Sequence, residues 1–361
     1  MPLNHYVTLG RSGLRVSPFA LGTMTFGEDQ PWGTSPRDAE AIFRRYADAG
    51  GNFVDTANVY MRGHSEKILG DVFGREPALR HRTVLATKFY GNLFPGDPNG
   101  GGAGRKALVR QLEESLRRLR TDYVDLYWCH MWDQFTPIEE TLRTLDDQVR
   151  AGKIRYLGLS DTPGWKLAEA QALSLASGFT PLVGYQIEYS LLERTVENEM
   201  IPAARALGIG VTPWSPLKGG ALTGKYNRDN HGKAKAGRGD WVLQNANERT
   251  YGVVDLLQRV ARELDTTPAR VALAWVQGRP GVTSTIIGAR TQEQLDENLK
   301  ALEVKLSPEQ EKQLDQATTP PPWALGRFLA PPYSFGYGGT TVEGITSPPT
   351  PGQPKSDAER Y

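Results

Sequence analysis

The sequence predicts a single α/β domain folded as a closed (β/α)₈ barrel (a TIM barrel), with an N-terminal β-hairpin and long loops at its carboxyl face. Three observations carry this. Short apolar runs alternate with amphipathic helical stretches along most of the 361 residues; the runs number eight; and each is continuously apolar, not alternating. Continuous apolar strands are those covered on both faces, as parallel strands are. The count of eight favours the closed barrel over a doubly wound open sheet, and such barrels run to this length as one domain.

The elements follow in order. Residues 6–9 and 14–16, separated by Gly10 and Gly13, read as a hairpin placed to plug the bottom of the barrel. The barrel strands are read at 19–22, 52–56, 83–88, 123–129, 155–160, 182–187, 208–214 and 284–288. Between them Leu108, Leu112, Leu116 and Leu119, and again Ile138, Leu142, Leu145 and Val149, recur at helical spacing on one face. Five helices are expected to open on a hydroxyl cap followed by proline: Ser35-Pro36, Thr136-Pro137, Thr162-Pro163, Thr267-Pro268 and Ser307-Pro308. Thr136 with Glu139, and Ser307 with Gln310, have capping-box spacing, while Gly152 and Gly208 end helices.

Two long loops leave the carboxyl ends of strands, at 91–104 and from Lys218 to about Asn247. Loops on that side build the active sites of barrels. Residues 1–318 are expected to form the barrel and 319–361 a Pro/Gly-rich tail without regular structure. The tail's aromatic residues (Trp323, Phe328, Tyr333, Phe335 and Tyr337) predict that it packs on the body.

Composition excludes several classes. A net charge of +1, from 42 basic and 41 acidic residues, supplies no bulk attraction to nucleic acid or anionic membrane. No stretch approaches the roughly 18 apolar residues of a membrane span, and the first ten residues carry no signal-type apolar run. The single cysteine, Cys129, rules out an internal disulfide framework or a cysteine-based zinc site. A cytoplasmic enzyme without a metal, acting on a small molecule, is the expectation; oligomeric state is left open.

Four polar residues stand at or just beyond the ends of successive strands: Asp55 and Tyr60, Lys88, and His130. Barrel strand ends share one mouth, so the four can meet. Together they suit carbonyl reduction. A hydride adding to a carbonyl carbon leaves charge on the oxygen, which needs a proton. Tyrosine titrates near 10, and the ammonium of Lys88 is expected to lower that value. Asp55 would keep a buried lysine charged, and His130 would orient the carbonyl. Taken singly, the Asp–Lys pair reads as a structural ion pair and His130 as a core histidine; the joint placement is what singles them out.

The segment from Gly51 to Ala57 (GNFVDTA) followed by Tyr60, with Thr87-Lys88 and His130, resembles the aldo-keto reductase family around its catalytic Asp, Tyr, Lys and His. The resemblance continues through Gly158-Leu159-Ser160, Tyr185 to Ser190, Trp214 to Leu217 and Ile286 to Ala289, spanning about residues 5–318. It looks closest to the branch of bacterial sugar-aldehyde reductases and potassium-channel β subunits.

That resemblance implies NADPH/NADP⁺ as cofactor. Ser160 and Gln186 would hold the nicotinamide carboxamide and Trp214 would stack on the ring, and Thr23, Met24 and Asp55 are also expected to contact the cofactor. Ser215, Leu217 and Gly219 would meet the pyrophosphate; Lys225, Arg238 and Arg290 would meet the 2′-phosphate; Gly288, Gln294, Glu297 and Asn298 would face the adenosine. The family often has Asn after the serine. Here Asp161 stands there, able to accept but not donate, so its role is open. Trp32, Tyr90, Phe94, Met131, Trp132 and Trp241 are candidates to line the substrate pocket.

Gly102-Ala103-Gly104-Arg105-Lys106-Ala107 fits the G-x-G-x-x-A pattern, but about a dozen residues separate it from its strand, which argues against a dinucleotide fingerprint. Two other readings stay open: a barrel aldolase using Lys88 as a Schiff-base amine, and an NADPH-loaded regulatory subunit.

Overall fold

In a computed structural model, which describes residues 1–226, 228, 246–321, 323–326, 337–349, 352–354 and 356–360, the chain begins with the expected hairpin. Strands β1 (Val7–Thr8) and β2 (Arg15–Val16) pair antiparallel. The turn needs Gly10, at φ 57: a Cβ there would stand 2.5 Å from the Val183 carbonyl oxygen.

Eight strands then form one parallel sheet: β3 (Phe19–Gly22), β4 (Phe53–Asp55), β5 (Val84–Phe89), β6 (Val124–Cys129), β7 (Ile154–Ser160), β8 (Leu182–Glu188), β9 (Gly210–Trp214) and β10 (Thr285–Gly288). Neighbours in sequence are neighbours in space, and β10 pairs with β3. The ring closes between β9 and the approach to β10, where the Thr283 amide donates to Val211 O at 2.8 Å and Val211 bridges Val282. The (β/α)₈ barrel is therefore what this sequence adopts.

The barrel interior is filled by side chains. Leu9 and Val16 from the hairpin pack with Ala20, Phe53, Leu126 and Trp128, so the bottom is plugged. Trp128 is wholly buried, and glycines on the next two strands, β7 and β8, make its space: a Cβ on Gly158 would lie 2.3 Å from the indole Cζ3, and one on Gly184 2.6 Å from Cη2. A larger apolar cluster fills the layer between the barrel and its helices.

The outer helices are α1 (Pro36–Asp48), α2 (His64–Arg75), α3 (Pro77–Arg82), α4 (Arg105–Leu119), α5 (Ile138–Arg150), α6 (Gly164–Ser177), α7 (Met200–Leu207), α8 (Glu248–Glu263), α9 (Pro268–Gln277), α10 (Gln292–Leu299) and α11 (Pro308–Thr318). Ser35, Thr267 and Ser307 cap as expected, the last in a full capping box with Gln310. Thr136 and Thr162 do not. Their prolines occupy the cap position itself, and the hydroxyls turn elsewhere: Thr136 Oγ1 donates to Asp133 Oδ2 at 2.8 Å, and Thr162 Oγ1 to Ser160 O at 2.9 Å.

The chain divides into two units, Met1–Thr319 and Pro320–Tyr361. Contrary to expectation, the second holds regular structure, a short hairpin of Thr341–Val342 with Ile345–Thr346. Its turn residues Glu343 (φ 51) and Gly344 (φ 77) are both left-handed, the backbone that matches the twist of paired strands. Phe328, Tyr333 and Phe335 lie outside the described residues, as do Arg238 and Trp241. No described helix is long and apolar enough to cross a membrane.

Candidate active site

Strand ends place the four polar residues. β4 finishes on Asp55, and the chain runs on to a tight turn, Tyr60–Gly63, before α2 begins. Met61 (φ 46) and Arg62 (φ 55) take left-handed backbone there, an uncommon conformation for residues with side chains. On β5, Ala86 is in register with Asp55, so Lys88 stands one pleat period higher on the same face. His130 follows β6, its amide donating to Phe89 O at 3.1 Å.

Lys88, with no exposed surface, reaches the cleft from beneath. Its ammonium donates to Asp55 Oδ2, to Thr56 O at 3.0 Å and to the Tyr60 hydroxyl at 3.1 Å. Gln186 Nε2 donates to the other Asp55 oxygen at 2.9 Å. The His130 ring meets Tyr60 edge-on, centroids 5.9 Å apart. Phenol, ammonium, carboxylate and imidazole thus share one locus.

The electrostatics correct one expectation. Lys88 does pull the Tyr60 value down, but burial, aided by the Asp55 carboxylate, pushes it up further, so the phenol titrates above its ordinary value. Burial works against the charge on Lys88, but Asp55 and Tyr60 together outweigh it, and the lysine titrates above its usual range. Burial and the neighbouring Lys88 charge drive His130 down to about 3, so the imidazole is neutral at any physiological pH.

Above these groups lies a cleft of about 1360 Å³. Met24, Asp55, Tyr60, His130, Ser160, Asp161, Gln186, Trp214, Ser215, Leu217, Gly219, Lys225, Gly288, Arg290, Gln294, Glu297 and Asn298 line it, so nearly all the residues singled out from sequence converge. Thr23 does not line it. Its hydroxyl is buried below the floor, bonded to Ser65 Oγ at 2.8 Å and to Asp55 O at 3.1 Å, where it braces the Asp55 strand end. Some lining groups are already engaged within the protein. Asn298 Nδ2 donates to Gly288 O at 3.0 Å, Gln294 Oε1 accepts from the Arg290 amide at 2.9 Å, and Glu297 pairs with Arg270 at 2.5 Å.

The cleft has the features a dinucleotide needs. Ser160 Oγ is buried without a hydrogen-bond partner among the described residues, on the register row that includes Gln186. A buried hydroxyl left unpaired is costly unless a ligand completes it. Gly219 (φ 64) and Gly220 (φ 104) bare the backbone, and nothing lies within 4 Å of where a Cβ on Gly288 would be. Trp214 lines the cleft, and its Nε1 donates to Asp161 Oδ1 at 3.0 Å.

The sequence reading overlooked Thr25, Asp29, Arg62, Thr267 and Glu293, which also line the cleft. Thr25 was one residue from a chosen position; Arg62 had no signal short of the turn geometry. Among the proposed substrate-lining aromatics Trp32 faces the cleft, but Tyr90, Phe94, Met131 and Trp132 do not. Tyr90 lines a separate hollow with the 91–104 loop, Phe94 lies under the Arg110 guanidinium at 3.5 Å, Met131 is exposed, and Trp132 packs edge-on against Trp165. The loop therefore covers that hollow, not the cleft. The Gly102–Ala107 segment has no free phosphate cradle, because the amides of Ala103 and Arg105 already donate to Asp133 at 2.9 Å and Glu140 at 2.8 Å.

The model of the Aldo/keto reductase family matches residues 18–319. An uncharacterized oxidoreductase of Bacillus subtilis, YrpG, is 43% identical, covering 84% of this chain and 93% of its own. A probable voltage-gated potassium channel subunit beta of Oryza sativa is 37% identical (83% and 91%), and the aryl-alcohol dehydrogenase [NADP(+)] of Phanerodontia chrysosporium is 35% identical (82% and 81%).

Proposed function

The chain belongs to the aldo/keto reductase family, oxidoreductases of small carbonyl compounds, and from that premise we propose that it reduces aldehydes or ketones to alcohols with NADPH, Tyr60 donating the proton. The observation that carries the reading is the Lys88 ammonium bonded at once to Asp55 and to the Tyr60 phenol at the floor of the cleft. Bound in the cleft, reduced nicotinamide would supply the hydride.

The chain's own residues do the rest. Tyr60 stays protonated because burial raises its value, so it presents an O–H to the carbonyl oxygen. Lys88 stabilises the phenolate left after that proton departs, which makes the phenol a competent acid only when base develops beside it. Asp55 holds the ammonium charged and, with Gln186 and Thr56 O, holds it in place. Neutral His130 can donate a hydrogen bond to the substrate oxygen without competing as an acid. Ser160 would hold the carboxamide, Trp214 the ring face, the Gly219–Gly220 backbone the pyrophosphate, and Arg290 with Lys225 the 2′-phosphate, whose oxygens suit a guanidinium fork. Trp32 at the rim and the aryl-alcohol dehydrogenase relative favour aromatic aldehydes as substrates.

The Schiff-base alternative is disfavoured, since all three N–H groups of Lys88 are engaged and its value is raised; a nucleophilic amine needs a free lone pair. A buried free cysteine suits a reducing compartment, so the cytoplasm is the proposed location. In Tyr60→Phe protein, NADPH binding should persist while kcat/KM for benzaldehyde falls by about 10²–10⁴. Undiminished turnover would remove Tyr60 from the mechanism.

A further inference from the structure

Asp161 stands out among the carboxylates of the cleft. Asp55 is matched by Lys88, Asp29 by His64 at 2.7 Å and Glu297 by Arg270 at 2.5 Å, whereas Asp161 and Glu293 have no ion pair among the described residues, and Asp161 accepts from a neutral donor, the indole N–H of Trp214 at 3.0 Å. Its backbone is left-handed (φ 41), held by its amide donating to Gln186 O at 3.1 Å. The carboxylate is therefore fixed at the edge of the tryptophan, lining the cleft, with no cation paired to it among the described residues.

Its surroundings resist the charge. Although open to the cleft, the carboxyl is depleted of water by the protein around it and is pushed up to about 6, with Glu188 adding repulsion and Lys88 and the indole hydrogen bond opposing. Tyr60 and Tyr185 also lie within its field. An anion held at such a cost gains when a cation arrives beside it. When a dihydronicotinamide loses a hydride its ring becomes a positively charged pyridinium, so the two forms of the nucleotide differ by one unit of charge on the ring.

We propose that Asp161 biases the cleft electrostatically toward the oxidised nucleotide, raising affinity for NADP⁺ relative to NADPH and so favouring hydride donation to substrate. The inference rests on the reading of this cleft as the NADPH site. Asp161 then contributes through charge, not as a donor to the carboxamide.

Asp161→Asn isolates that charge. Asparagine keeps an acceptor for the Trp214 indole and tolerates left-handed backbone at least as well. The measurement is calorimetric titration of the whole chain with NADP⁺ and with NADPH at pH 8, where the wild-type carboxyl is ionised. The ratio of Kd for NADP⁺ to Kd for NADPH should rise about tenfold in Asp161→Asn, as expected for one partly solvated ionic contact. A ratio unchanged within twofold, including equal weakening of both nucleotides, overturns the inference while leaving the NADPH site intact. Failure of wild type to bind either nucleotide overturns both.

Discussion

Replacing Asp55 with Asn tests the buried Asp55–Lys88 pair through stability as well as activity. The side chains of Lys88 and Asp55 are 0% and 2% exposed. In Asp55→Asn the ammonium keeps only neutral acceptors, Thr56 O and the Tyr60 hydroxyl among them. Leaving one charge of a buried pair unmatched costs about 3–5 kcal/mol. The lysine can escape by losing its proton, which from an ordinary value near 10.4 costs about 4–5 kcal/mol at pH 7. Either route gives a deficit of about 3–5 kcal/mol at neutral pH.

The two proteins then diverge with pH. In wild type the lysine titrates above its unfolded value, so its contribution is complete below that value and is lost only as pH rises through the higher one. In Asp55→Asn, burial prevails, the folded lysine binds fewer protons than the unfolded one, and stability climbs with pH by up to about 1.4 kcal/mol per unit. Urea denaturation at pH 7 and pH 9 should show the deficit shrinking by as much as about 2.7 kcal/mol over the two units. A deficit below about 1 kcal/mol at pH 7, or one that is the same at both pH values, would refute the claim that Lys88 depends on Asp55 for its charge.

Two further outcomes are expected. Gly158→Ala places a methyl 2.3 Å from Trp128 Cζ3 and 2.9 Å from Gly184 O, so it should destabilise the barrel by about 3 kcal/mol in the same urea assay; an unchanged midpoint would mean the indole has room to move. Arg290→Ala should weaken NADPH about tenfold or more while leaving NADH within twofold, because only NADPH carries the 2′-phosphate; equal losses for both would assign Arg290 a different role.

The barrel was legible from the sequence because its signal is local and repeated. Eight apolar runs, each bounded by helix signals, survive errors at any single boundary, and all eight coincide with strands. The convergence of Asp55, Tyr60, Lys88 and His130 followed from the barrel rule alone, since consecutive strand ends share a mouth. The errors fell where a side chain had a choice of partner. Thr136 and Thr162 read as caps but took other acceptors, and Thr23 read as a cofactor contact but turned inward to Ser65.

What the sequence by itself determined was architecture and chemical inventory: which strands, which helices, and which ionisable groups sit at one end. Tertiary structure decided the states of those groups. Whether Tyr60 titrates above or below its ordinary value depends on the balance between burial and the field of Lys88, and burial is set by packing around the whole cleft. It also decided that Trp128 fills the barrel between Gly158 and Gly184, and that Asp161 meets an indole N–H instead of a cation. Periodicity reports which face of an element is apolar; distances between elements, and hence the desolvation and Coulomb terms that set charge states, exist only once the barrel has closed.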